Sequence, residues 1–198
     1  MLRVICVCTG SKYDPIWIDN LKYMVDNFSK LNYENFSVID QEDYGDVFDK
    51  LQMFKKYRDG QNIYFDLDTV IRNDCNIFIK HKLNVCYAWW RDAYHTPLNS
   101  SIISWNGDQS HIYDMFNEDP EYYMLKYQLG IDQYIYENHY HRTFMEGFCS
   151  YQTIQEEKNY NVYLFNQRHE HLYKEGWWSK YLLPQFRNHF QDYQVEYQ

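Results

Sequence analysis

What this chain lacks already removes several classes of answer. Its five cysteines (Cys6, Cys8, Cys75, Cys86, Cys149) are odd in number and include no Cys-x-x-Cys pair, so they read as free thiols rather than a disulfide framework. Most lie in apolar stretches, where a free thiol behaves as a small buried hydrophobe. No charged start followed by an apolar signal segment opens the chain, and the expected compartment is a reducing cytoplasm. No apolar run approaches membrane-spanning length, so no transmembrane segment is expected. Positive charge is also short. Lys and Arg number 19 against 28 Asp and Glu, a formal net charge of −9 with the acids spread along the chain. A nucleic-acid surface needs the opposite sign and is excluded. Repeats, linkers and low-complexity segments are missing too, and 198 residues therefore read as a single domain able to bury a real core. Aromatics, by contrast, are abundant at 20%, with 22 tyrosines, so no single exposed tyrosine carries weight.

What is present is organised around NIYFDLDTVIRN, Asn62 to Asn73. Apolar Ile63, Tyr64 and Phe65 lead into Asp66-Leu67-Asp68, and Val70 and Ile71 resume the apolar run. The pattern predicts a buried strand ending in two carboxylates. Period-two alternation puts Asp66 and Asp68 on one side, roughly 6 to 7 Å apart. Magnesium or manganese takes one or two carboxylates from a protein and leaves the other positions to water and substrate phosphate. The pair thus points to a metal that waits for a phosphate, and a bound cation reverses the repulsive field of an acidic chain where an anion must sit. In open α/β sheets that place is just beyond the carboxyl ends of the strands. The plainer reading is that Asp68 caps a turn.

The order of elements supports an α/β protein. Leu2 to Cys8 reads as a first buried strand. Asp14-Pro15 reads as a helix start, followed at helical spacing by Trp17, Leu21, Met24, Val25 and Phe28. Phe36 to Ile39 is a second strand, and Val47, Leu51 and Phe54 give one apolar face to a helix from about Asp46 to Tyr57. After the acid pair come strands at Asn84 to Trp89 and Ser101 to Trp105, with a loop over Arg91 to Leu98. Helical spacing returns at Ile112, Met115 and Phe116 and again after Asp132. A strand at Val162 to Phe165 precedes a terminal helix bearing Trp178, Tyr181, Leu182 and Phe186.

The stretch DKLQMFKKYRDGQNIYFDLDTVIRND resembles the acid-motif region of GT-A fold glycosyltransferases, especially small family-8-like and phage- or virus-encoded ones. VICVCTG, LNSSIISWNGD, LGIDQYIYE and VYLFNQRHEH are similar to further family segments and occur in the family's order. The resemblance implies a Rossmann-like GT-A domain over 1–198 with a mostly parallel central sheet flanked by helices. Residues 1–105 would form a nucleotide-binding half and 106–198 a sugar and acceptor half. The implied enzyme is a metal-dependent glycosyltransferase, hexosyltransferase-like, taking a sugar from a nucleotide-sugar donor with UDP favoured. Its acceptor would be a glycan, a lipid-linked group or a protein, and its home the cytoplasm of a host cell if it is virus-encoded. Thr9, Gly10 and Tyr13 would line the nucleobase pocket, Lys50 would face the diphosphate, and Asp66, Leu67 and Asp68 would form the Asp-x-Asp motif with Mn2+ or Mg2+. Asn99 and Ser100 would approach the sugar, and Asp132 and Gln133 would bind its hydroxyls, although an extra Ile131 stands before them. A late metal ligand is implied in the segment after the Val162 strand, from His169, Asn166, His171 or a water. That segment, tethered only through metal and donor, would order on binding, with Arg168 and Lys174 closing on the diphosphate.

Rival readings use the same residues. FDLDTV also fits the nucleophile motif of haloacid-dehalogenase-like phosphatases, with Asp66 as nucleophile, Asp68 as acid/base, and Lys82, Asp108 and Asp114 as later motifs. That motif normally lies near the amino terminus, whereas two βα units precede it here. A non-catalytic module using aromatic platforms, and a zinc site from His139, His141, His169 and His171, complete the set.

Overall fold

The computed structural model describes residues 1–92, 94–166 and 168–190, so the last eight positions of the expected carboxyl-terminal half lie outside the described residues. In chain order the regular elements are β1 (Leu2–Val7), α1 (Pro15–Phe28), β2 (Asn35–Ile39), α2 (Gln52–Lys56), β3 (Gln61–Phe65), β4 (Thr69–Ile71), β5 (Asn84–Tyr87) and β6 (Leu98–Asn106). They continue with α3 (His111–Glu118), α4 (Pro120–Lys126), α5 (Ile131–Asn138), β7 (Arg142–Phe144), β8 (Phe148–Ser150), β9 (Val162–Leu164) and α6 (Pro184–His189). Two compact units interleave along the chain.

The first unit comprises Met1–Lys12, Asn32–Asp66 and Phe78–Met145. Its six-stranded sheet has the order β2-β1-β3-β6-β5-β7. β1 pairs parallel with β2 and β3, and β5 parallel with β7, whereas β6 runs antiparallel to both of its neighbours. The mixed, mostly parallel α/β sheet matches the sequence reading. Because β6 alone is reversed, the carboxyl ends of β1, β3 and β5 and the amino end of β6 share one edge. One face of the sheet, with Ile5, Tyr64, Ile103 and Trp105, is sealed against Phe54, Phe116, Tyr134 and Ile135 from the helices. A buried side chain of this size contributes about 1.5–3 kcal/mol.

In this unit two sequence expectations shift. The Asp46 to Tyr57 helix is a 3-10 helix over Asp46–Leu51 followed by α2. Three residues per turn change the phase, so Phe48 is buried and Val47 is exposed. Gly130 precedes α5 at φ +75, and a Cβ there would lie 2.7 Å from Cγ2 of Val47. Only glycine permits that approach.

The second unit comprises Tyr13–Leu31, Leu67–Ile77 and Glu146–Gln198. Its sheet, β4-β9-β8, pairs β4 antiparallel and β8 parallel to β9. α1 begins at Pro15 as expected, but the Asp14 side chain makes no capping bond to the helix and instead holds Nε2 of His189 at 3.1 Å. Trp17 is fully buried, edge-on to Phe186 at 4.8 Å and near Tyr173 and Phe190. Arg72 pins the loop before β9, with an ion pair to Glu157 at 2.9 Å, hydrogen bonds to the carbonyls of Lys158 and Tyr160, and aromatic faces from Tyr163, Trp177 and Tyr181. The expected terminal helix is broken into a 3-10 helix at Trp177–Lys180 and α6, because Pro184 cannot sit in a helix interior and starts a new one.

All five cysteines are free, and four are buried. Burial raises the Cys6 thiol to about 12 and holds it protonated. No helix among the described residues is long and apolar enough to cross a membrane.

One buried histidine sets a pH dependence in the first unit. His139 lies at the end of α5 with its Nε2 buried and unbonded, and burial, then the charges of His111 and His141, pull its imidazole down to about 4. A group neutral in the fold and protonated below about 6.5 when unfolded stabilises fully above that pH, and the contribution is lost as pH falls toward 4. The integrated loss is on the order of 2–3 kcal/mol. Urea denaturation at pH 7 and pH 4.5 is expected to show this fall in the natural protein and little of it in His139→Phe. An equal fall in both would place the acid sensitivity elsewhere.

Candidate functional site

The acid pair is the first place where local structure departs from the sequence reading. β3 stops at Phe65, and Asp66-Leu67-Asp68 form a turn before β4 rather than a continued strand. Strand alternation therefore does not align the two carboxylates. Asp66 belongs to the first unit; Leu67 and Asp68 belong to the second.

In the first unit Asp66 stands at the carboxyl end of the central strand, its amide donating to the Ser101 carbonyl at 2.9 Å. Oδ1 of Asp66 pairs with Nζ of Lys50 at 2.7 Å, both side chains about five-sixths buried, and also accepts from the Tyr64 hydroxyl. Burial alone would raise this carboxyl. The Lys50 charge, with hydrogen bonds from Lys50, Tyr64 and Ser101, outweighs it and holds the group below its ordinary value. Asp66 is thus a nearly dry carboxylate kept ionised by a cation, which suits it to act on charge.

From Lys50 a polar chain continues. Nζ lies 3.4 Å from Oγ of Ser100, whose amide donates at 2.8 Å to Oδ1 of Asp132, whose Oδ2 in turn takes NH1 of Arg91 at 2.9 Å. Arg91 also donates to the Leu98 carbonyl. Ile131 is buried in the core as the first residue of α5, which turns Asp132 toward β6. Asn99 spends its side-chain oxygen on the Ser101 amide at 3.0 Å, next to this chain. Gln133 is not drawn in. Its amide donates to Glu137 one helical turn on, at 2.8 Å. Thr9 and Gly10 follow β1 at the same sheet edge, with Gly10 at φ +68 and facing Glu42.

In the second unit Tyr13 donates to Oδ2 of Asp68 at 2.9 Å, and Leu67 and Asp68 are buried. The Tyr13 ring sits edge-on to His169 at 5.8 Å and to Trp17 at 4.8 Å, so Asp68, Tyr13 and His169 form one cluster. The segment after β9 is not held by ligands alone. It contains a 3-10 helix at His169–Tyr173 whose Leu172 is buried, with Trp17 against Tyr173 and His171 against the Tyr151 hydroxyl. The expectation that only metal and donor tether this segment is corrected by that packing.

Among the described residues no group of three or more His, Cys, Asp and Glu side chains is gathered as a metal cage. The four-histidine zinc reading therefore finds no support among the described residues. A hard cation that takes one or two carboxylates and draws its remaining ligands from water and phosphate needs no such cage. Sequence reasoning missed Arg91 and the Tyr64 hydroxyl. Arg91 was read as loop, and its one local signal is a cation following an aromatic strand end.

No protein-family model matches the sequence, and no curated protein matches it. Solved structures do. A glycosyltransferase involved in the glycosylation of the major capsid of PBCV-1 matches with a TM-score of 0.58 at 11% identity, over 87% of this chain and 99% of that one. GlyE of Streptococcus pneumoniae TIGR4, a glycosyltransferase, matches at 0.58 and 11%, and the chain, 98% covered, spans 64% of it. The galactosyltransferase LgtC, solved in complex with donor and acceptor sugar analogs, matches at 0.58 and 10%, over 82% of this chain and 86% of that one. The chain has the fold of these glycosyltransferases. At such identities the likeness is one of fold. The haloacid-dehalogenase reading is not favoured by these matches.

Proposed function

We propose that this protein is a metal-dependent glycosyltransferase that moves a hexose from a nucleotide donor, UDP favoured, to an acceptor hydroxyl. One observation carries the reading: in a fold shared with glycosyltransferases, a buried carboxylate held ionised by Lys50 stands at the carboxyl end of the central strand, at the sheet edge where α/β folds take their ligands. The roles follow. The Asp66-Leu67-Asp68 motif would hold Mn2+ or Mg2+, with His169 as the further ligand, and the ion would supply Lewis-acid stabilisation of charge on the leaving diphosphate. Lys50 releases part of its hold on Asp66 to donate to that diphosphate. Thr9, Gly10 and Tyr13 receive the nucleobase. Asn99, Ser100 and Asp132 orient the sugar, which lowers the barrier by fixing the reacting geometry beforehand, whereas Gln133, tied to Glu137, stands apart from them.

A chain of formal charge −9 must hold an anion against its own field, so nucleotide binding is expected to require the cation. Calorimetric titration with UDP should give binding in manganese and none in excess EDTA, and Asp68→Asn should lose the manganese-dependent binding while remaining folded. Undiminished UDP affinity in EDTA would overturn the proposal. Thermal stabilisation by UDP-, GDP- and CMP-sugars with manganese ranks the donors.

A further inference from the structure

Behind the Arg91–Asp132 pair, still within the first unit, lies a cleft of about 400 Å³, a size typical of small-ligand sites. Its walls come from the end of β5, from residues 88–92 and 94–97 after it, and from one face of α5, where Gln133, Tyr136 and Glu137 recur at helical spacing. Two features need explaining. Trp89 and Tyr136 line it with 42% and 48% of their surface exposed, and Tyr94 with 98%, a concentration of bare ring surface that a chain normally buries. The same lining carries planar polar groups: Asp92, and Glu137 tied to the Gln133 amide at 2.8 Å.

We infer that this cleft binds the acceptor, and that the acceptor is a neutral glycan. The inference rests on the transferase reading. Rings with an apolar face and a polar edge suit a pyranose, which presents C–H groups on its faces and hydroxyls around its rim. Carboxylates and an amide at i and i+4 accept and donate to such hydroxyls. Charge excludes an anionic ligand. The one guanidinium in the wall, Arg91, is already matched to Asp132, which leaves Asp92 and Glu137 as the net charge of the lining apart from His95. Arg91 also connects the cleft to the carboxylate at β3. Its bond to Asp132 fixes the Ser100 amide, and Ser100 lies against Lys50, the partner of Asp66. A hydroxyl presented from this cleft therefore approaches a sugar placed along that chain.

The test is a printed array of neutral and sialylated oligosaccharides probed with the natural protein and with a Trp89→Ala, Tyr136→Ala double variant, alongside calorimetric titration of both with UDP and manganese. The two rings are exposed, so the double variant is expected to keep its melting temperature. Retention of neutral glycans by the natural protein, reduced at least tenfold in the variant, supports the inference. Preference for sialylated glycans, no retention of any neutral glycan, or equal retention by the variant overturns it while UDP–manganese binding leaves the transferase reading standing. Neutral-glycan retention that depends on the two rings, in a protein that never binds UDP with manganese, overturns the acceptor role and the transferase reading together and leaves a carbohydrate-binding module.

Discussion

Asp66→Asn is expected to reduce sugar transfer by roughly 10²–10³-fold in turnover, the effect of deleting one preorganised charge-stabilising group. The same change removes the counter-charge of Lys50, whose Nζ sits 2.7 Å from the lost oxygen in a place only 15% exposed. A cation left alone there costs stability as well, about 3 kcal/mol when one partner of a buried pair is deleted. The two losses separate in a cycle with Lys50→Met. Each single variant strands a charge, and the double strands neither, so the double should be more stable than the sum of the singles predicts by about 1–3 kcal/mol. Turnover should not recover, because the negative charge at the end of β3 is still missing. Lys50→Met alone should weaken the donor by about 1.5–3 kcal/mol, as expected for a lost hydrogen bond to a charged group. Additive stabilities would show that the pair is solvated and incidental. Full turnover in Asp66→Asn would remove that carboxylate from the chemistry.

How much of this was legible in the sequence follows from the range over which each feature is determined. β1, α1 and β2 are fixed by local periodicity and by Asp14-Pro15, and they lie where the residues place them. β4, β7 and β8 span three residues each, too short for any periodicity, and exist because β9 and β5 offer them edges. α4 repeats the Asp-Pro signal at Asp119-Pro120, and there the aspartate does cap, accepting from the Tyr122 amide at 3.1 Å. It went unread because none of its residues is buried and no apolar stripe marks it. Within the site, Lys50, Asp66, Asn99, Ser100 and Asp132 were named from residue type and family resemblance, and the fold gathers them at one sheet edge. The turn at Asp66-Leu67-Asp68 was not visible, since an apolar run that continues through two acids reads as unbroken strand. Arg91 was invisible for another reason. It is separated from Asp132 by 41 positions, and no local pattern encodes a pairing across that distance.

Asp132→Ala should have the largest effect on stability. Its carboxylate is one-tenth exposed and satisfies two groups at once, the buried Ser100 amide at 2.8 Å and the Arg91 guanidinium at 2.9 Å. Among the described residues, removal leaves the Ser100 amide without a partner and a guanidinium, itself only 25% exposed, held by the Leu98 carbonyl. An unsatisfied buried amide costs about 1–3 kcal/mol. A stranded, partly buried cation adds to that, for a total of about 3–5 kcal/mol. In a chain of this size each kcal/mol lowers the unfolding midpoint by about 2–4 °C, so a fall of roughly 6–20 °C is expected. Arg91→Leu should cost less, since Asp132 keeps Ser100 and its second oxygen has some access to water. The ordering is diagnostic. If Asp132 holds β6 through Ser100, then Asp132→Ala is the worse variant, and Arg91→Leu in that background adds little further loss because the cation it removes is already stranded. Equal losses from the two single variants, or a midpoint within 2 °C of the natural protein, would mean that water replaces the carboxylate and that the polar chain from Arg91 to Lys50 carries no strain between cleft and strand.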